Sequence, residues 1–233
     1  MRRNGCSRVT RLREQAAGKG WTKAFIAGLM IAGGATARAD ENDQYWLTGG
    51  IKGSLTSNLT LKVSSQQRYR DEDHYYKHMD YGVDYKFNKN WSVCGTFRDQ
   101  SVKSSKGEWR STNGYMLDAI NTVKGVGAEL KSRLRFCYFD PNYTADATTD
   151  FRPRFDLMPA KGFTAWKVKP YVADELMYNF DDSNLYRNRL SFGVKCNPIA
   201  ALSLDLSIMN EKTEKDEQWA ENWNTCLAAT WSF

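Results

Sequence analysis

Between Gln44 and Phe233, apolar and polar residues alternate with a period of two over unusually long segments. Leu59, Leu61 and Val63 alternate with Thr60, Lys62 and Ser64, and Met79, Tyr81, Val83, Tyr85 and Phe87 alternate with Asp80, Gly82, Asp84 and Lys86. Val126, Ala128, Leu130, Leu134, Phe136 and Tyr138 oppose Glu129, Lys131, Arg133 and Arg135, and Leu202, Leu204, Leu206 and Ile208 oppose Ser203, Asp205 and Ser207. This period sends successive side chains to opposite faces of a strand. The longest runs exceed the roughly five or six residues of an average soluble strand and match the roughly nine to eleven of a tilted membrane strand. No run approaches the roughly 18 apolar residues of a helical span.

About eleven such segments can be traced. The connections read as short at Thr56–Asn58, Asn88–Asn90, Val123–Gly125, Ala160–Thr164 and Asn197–Ala200, and as longer and polar at Asp71–His74, Lys103–Asn113, Pro141–Asp150, Asn179–Asn184 and Thr213–Glu221. That rhythm, and two belts of aromatics, fit a barrel with its apolar face outward. Phe87, Trp91, Trp166, Trp231 and Phe233 fall at one set of strand ends; Tyr69, Tyr75, Tyr115, Tyr138, Tyr178, Tyr186 and Trp223 fall near the other. The fold expected is all-β, an antiparallel transmembrane β-barrel of 10 to 12 strands. Because such barrels favour even numbers, ten or twelve is the expectation, with Phe151–Pro159 the doubtful segment for its two prolines. Trp223, Thr225, Leu227, Ala229, Trp231 and Phe233 share one face of the last segment. This alternation with a terminal aromatic resembles the assembly signal of bacterial outer-membrane proteins, here Trp231 and Phe233.

Charge changes the picture of the first residues. Basic Arg2, Arg3, Arg8, Arg11, Arg13, Lys19 and Lys23 precede an apolar, small-residue run from Ala24 to Thr36, closed by Ala37-Arg38-Ala39. This is the pattern of a cleaved secretory signal over residues 1–39, leaving 40–233 as the barrel. The segment carries a net +7 against +6 for the whole chain, so residues 40–233 hold about −1. Basicity therefore gives no case for nucleic-acid binding. The expected surroundings are outer-membrane lipid, with barrel-assembly machinery as a partner during biogenesis. Cys94, Cys137, Cys196 and Cys226 have no metal-ligand spacing and read as isolated strand residues, Cys196 on the face opposite the others.

With the apolar parity outward, basic residues outnumber acids on the inner face, and the balancing acids fall in the outer loops: Asp71, Glu72, Asp73, Asp146, Asp150, Asp181, Asp182, Glu214, Asp216, Glu217 and Glu221. Arg-x-Arg occurs four times there, as Arg68/Arg70, Arg133/Arg135, Arg152/Arg154 and Arg187/Arg189. Spacing of two puts both guanidinium groups on one face, forming a layer beneath the loops. Two readings stand: ion pairs with Asp80, Asp118, Asp156 and Glu175 that fill a narrow lumen, or an anion site or anion-selective constriction. The first points to a small filled barrel with a structural or surface-binding role, the second to a narrow anion-preferring pore. A lipid-modifying enzyme would need a base, and His74 and His78, read at the outer end of the second hairpin, are the only histidines. No serine motif, phosphate-binding glycine loop, zinc spacing or dinucleotide fingerprint occurs, so no catalytic residue, metal site or cofactor is assigned.

Trp46 in the first strand, Tyr85-Lys86-Phe87-Asn88 leading to Trp91, the paired-arginine strands, Pro170 followed by Glu175, and Arg187-Asn188-Arg189-Leu190 resemble an uncharacterised bacterial outer-membrane β-barrel family, DUF2490-like, known only as a domain of unknown function. The resemblance implies an outer-membrane barrel and no assigned activity.

Overall fold

The computed structural model describes residues 44–143, 145–215 and 218–233. The proposed signal segment, with Asp216 and Glu217, lies outside the described residues. Among the described residues eleven strands form one closed barrel: β1 (Gln44–Ser54), β2 (Leu59–Arg70), β3 (Asp73–Lys86), β4 (Trp91–Lys103), β5 (Trp109–Lys124), β6 (Ala128–Pro141), β7 (Thr148–Pro159), β8 (Lys169–Asn179), β9 (Asn184–Ile199), β10 (Leu202–Lys215) and β11 (Gln218–Ser232). Ten seams are antiparallel between sequence neighbours; the eleventh joins β1 to β11 in parallel, for example Leu47 opposite Leu227 and Ile51 opposite Trp231. The expectation of an even count gives way here. All eleven segments are strands, and a parallel seam lets an odd number close.

The doubtful segment is β7, and its proline leaves a mark. Pairing of β7 to β6 is continuous through Leu134 opposite Pro153, while pairing to β8 skips Arg152 and Pro153. A proline has no N–H to give to a ladder. The ring tolerates one interrupted seam because the strand is held on its other side.

Parity reads as expected. Leu47, Ile51, Tyr81, Val83, Leu117, Leu134, Phe136, Phe155, Leu157, Phe192, Leu227 and Trp231 are exposed on the outer surface. So large a continuous apolar exterior belongs against hydrocarbon and not water. Tyr81, Phe97, Tyr115 and Tyr138 form an aromatic strip across β3–β6, with neighbouring ring centroids 6.3, 5.5 and 6.3 Å apart. The strands run obliquely. The row Lys52, Lys62, Gly82, Thr96, Met116, Cys137, Asp150 and Asn179 starts near the end of β1 and finishes at the last residue of β8.

The connections do not keep the expected rhythm. On the rim expected to face outward, β2 and β3 are joined by Asp71 and Glu72 alone, with Asp71 at φ 53°, and β8 and β9 by residues 180–183. The longest connection, residues 160–168, lies on the opposite rim, carries Thr164 and Lys167 at positive φ, and contains the bridge between Phe163 and Val168. Several of the polar residues read as outer loops are strand ends: Asp73 is in β3, Glu214 in β10 and Glu221 in β11. Period two is weak where neither face meets hydrocarbon, so these ends were not legible as strand.

Inside, two glycines make room for rings. A Cβ on Gly114 would lie 2.9 Å from the Phe139 ring, and one on Gly193 would lie 2.6 Å from the Tyr171 ring and 2.7 Å from Ser207 Cβ. Gly114→Val is expected to lower the urea midpoint of the barrel in micelles by an amount equivalent to about 1–3 kcal/mol, the usual cost of overpacking. Gly95→Ala, where the added methyl meets nothing within 4 Å, is expected to stay within about 0.5 kcal/mol. Tryptophan fluorescence during unfolding measures both.

Candidate functional site

The alternation that turns the apolar set outward brings the arginines into the lumen, where β6 and β7 make an unusual arrangement. Arg133 stands directly opposite Arg154, and Arg135 opposite Arg152. Like charges in such positions repel, and each of the four is answered by a carboxylate. Arg135 donates from Nε and Nη2 to the two oxygens of Asp118 at 2.6 and 2.8 Å. Arg133 donates to Glu175, Arg152 to Asp150 at 2.6 Å, and Arg154 to Asp156 at 3.0 Å. Asp118, Asp150, Asp156 and Glu175 are all buried. One strand pair away from this quartet, Arg98 holds Asp80 with a two-pronged contact at 2.7 and 2.8 Å.

Two cavities flank this charged layer. The upper, of about 760 Å³, is lined by all eight inward arginines from Arg68 to Arg189 together with Trp46, Tyr76, His78 and Tyr186, and by Tyr143, Ala145 and Asp146 from the rim. The lower, of about 550 Å³, is lined by Lys52, Lys62, Lys86, Lys89 and Lys124 with Asp84 and Glu129. Among the described residues none lines both. Cys94, Asp118, Lys131, Asp156 and Lys195 belong to neither lining, and on their strands they fall between residues of the two sets or next to one of them. Lys195 joins the layer by approaching Asp156 at 3.7 Å and Asp205 at 4.0 Å.

The arginines on the other wall are placed differently. The Arg68 guanidinium lies between two rings, 3.6 Å from the centroid of Trp46 and 4.0 Å from that of Tyr76, and its Nε donates to Gln66 at 2.7 Å. Arg189 approaches the same indole at 5.0 Å and donates to Glu211 at 2.6 Å. Arg187 reaches that Glu211 oxygen only at 3.9 Å. The Nε atoms of Arg133, Arg152 and Arg187 are buried without a hydrogen-bond partner among the described residues.

The family described as a protein of unknown function, DUF2490, has a model that matches residues 43–222. The chain belongs to the DUF2490 family. Among solved structures, one titled a bacterial polysaccharide outer membrane secretin matches at 12% identity with a TM-score of 0.40, over 72% of this chain and 73% of that one. The β-domain of the Bordetella autotransporter BrkA matches at 17% identity with a TM-score of 0.41, over 71% of this chain and 78% of that one. A comparison with curated proteins finds no match.

In this DUF2490 chain, seven of the eight arginines named from the sequence line the upper chamber; Arg70 stands outside it, exposed at the end of β2 with its guanidinium 5.2 Å from the Tyr75 ring. Asp80 and Glu175 line the chamber too, while Asp118 lies in the layer below it. Asp150, read as a loop residue, is a buried lumen group that takes Arg152, Tyr186 Oη at 2.7 Å and Asn179 at 3.2 Å. Its place two residues before Arg152 in the same strand was the available signal. Tyr186, read as a girdle residue, faces inward, where β8 and β9 shift register between Met177 and Tyr178.

The histidines part company. His74 remains at the rim, its ring stacked 4.9 Å from Tyr69 and tilted against Trp109 at 5.1 Å. His78 is buried in the chamber wall, with Nδ1 3.0 Å from Tyr76 Oη and Nε2 3.5 Å from Asp80. Among the described residues no group of three or more His, Cys, Asp or Glu could hold a metal ion, and Cys94, Cys137, Cys196 and Cys226 are free thiols. Trp231 lies outward, opposite Ile51 and Leu202, and Phe233 N–H donates to the carbonyl of Lys52 at 3.1 Å.

Removing one partner of a buried pair strands the other's charge. Arg135→Leu is expected to destabilise the barrel by about 3–5 kcal/mol, and Arg135→Leu combined with Asp118→Leu to recover most of the loss. Urea midpoints of the two variants, measured in the same detergent, make the comparison.

Proposed function

We propose that this protein resides in a bacterial outer membrane as a small, filled, non-conducting barrel whose work is done at its outer face, in a surface-binding or structural role. The observation that carries this reading is the ion-paired layer between two cavities that share no lining residue. Fixed ion pairs across a narrow lumen hinder the passage of solutes, because opening a path would separate buried charges from their partners. The apolar exterior and its aromatic strip support residence in the membrane, and the signal pattern over residues 1–39 supports export with cleavage before Asp40.

Purified protein reconstituted in planar bilayers is expected to give no stable conductance steps. Persistent steps, above all anion-selective ones, would replace the filled barrel with a pore. The location is read separately: the chain is expected in the outer-membrane fraction, with heat-modifiable gel migration and Asp40 as its first residue. A periplasmic soluble protein would overturn the membrane assignment.

A further inference from the structure

We propose that the corner of the upper chamber where Arg68 and Arg189 lie against Trp46, and where Arg187 shares Glu211 with Arg189, is a binding site for a phosphate-bearing ligand. The proposal rests on the surface-binding reading above and supplies the ligand chemistry that reading lacks. Its starting point is that the four Arg-x-Arg pairs are of two kinds. In the β6–β7 quartet each guanidinium has a carboxylate of its own. In this corner Glu211 answers Arg189 at 2.6 Å and Arg187 at 3.9 Å but not Arg68, and Glu175, the other carboxylate near Arg189, at 3.5 Å, is already taken by Arg133.

Arg68 is the extreme case. Among the described residues no carboxylate lies within 4.0 Å of it, and its contacts are two aromatic faces and a glutamine. Stacking holds the planar fork in one orientation while it lines the chamber, and a fork fixed in this way loses little freedom when it takes an oxyanion through two parallel hydrogen bonds. Arg187 adds a second under-compensated cation, with a buried Nε that has no hydrogen-bond partner among the described residues.

Charge and oxygen count select the ligand. A carboxylate offers two oxygens and one charge, enough for a single fork. A phosphate monoester offers three terminal oxygens and about −1.5 to −2 charge near neutral pH, which suits guanidinium groups reaching in from β2 and β9. The same group occurs on soluble phosphoesters and on lipid headgroups, and the opening bordered by Tyr143, Ala145 and Asp146 faces the rim where either would arrive.

The experiment titrates the full chain, in zwitterionic detergent micelles, with inorganic pyrophosphate, with dihexanoyl phosphatidic acid and with glucuronate, followed by calorimetry. Saturable binding of pyrophosphate or phosphatidic acid is expected, weakened at least about tenfold by Arg68→Gln and by Arg187→Gln and unchanged by Arg110→Gln, which lies outside the chamber lining. Binding of pyrophosphate supports the site with a soluble phosphoester as its ligand; binding of phosphatidic acid alone supports it with a lipid headgroup. Heat-modifiable migration confirms that each variant is folded, and Arg68→Lys, which keeps the charge and loses the fork, replaces Arg68→Gln if that variant fails. Absence of saturable binding with both phosphate probes, tighter binding of glucuronate, or full affinity in folded Arg68 and Arg187 variants would overturn the proposal. Conductance plays no part in this readout, so a pore would sink the filled-barrel reading without deciding the binding site, and the reverse also holds.

Discussion

A backbone N–H or C=O in hydrocarbon has no water to fall back on, and leaving one unpaired costs several kcal/mol. Closure of the eleven strands into a ring meets that constraint, because every strand then has a neighbour on both sides. The rest of the molecule follows from the ring. Once the apolar parity is committed outward, every second residue of every strand must share a narrow interior. That interior received arginines, carboxylates and a few aromatic rings, and their packing had to be settled side chain by side chain.

Arg-x-Arg spacing is the same in all four pairs, yet the pairs differ in chemistry because a strand's neighbours decide what its side chains meet. On β6 and β7 the register sets arginine against arginine, and only a bridging carboxylate for each makes the arrangement tolerable. Opposite Arg68 the register places Trp46 and Tyr76, so the charge is accommodated on aromatic faces. A guanidinium is weakly hydrated and flat, which suits it to both situations. Lysine at these positions could form the ion pairs but not the sandwich.

The parity of each strand, and with it the outward set and the inward arginines, was legible in the sequence because period two is a property of single segments. Features set by neighbouring segments were not. Arg133 finds Glu175 across the intervening β7, and no local pattern announces that meeting. Asp150 was mistaken for a loop residue because Pro141–Asp150 holds no large aliphatic residue to mark an outward face, although the strand resumes at Thr148. Eleven segments could be traced, but that an odd number closes was hidden for the same reason: it depends on how β1 meets β11, the two segments farthest apart in the chain.

That parallel seam also governs how the chain could be rewired. β1 begins at the upper rim with Gln44 and β11 finishes at the lower rim with Ser232, opposite Lys52 near the end of β1. In a barrel with an even number of strands, a few residues can join the two edge strands as one more hairpin, and the chain can be reopened at any other turn. Here a link between the same strands would have to travel the whole height of the wall, through the crowded lumen or along the lipid face. Among the described residues, the seam between β1 and β11 is thus the one place where the barrel can be opened without cutting a covalent connection, and no simple permutation of the strands moves it.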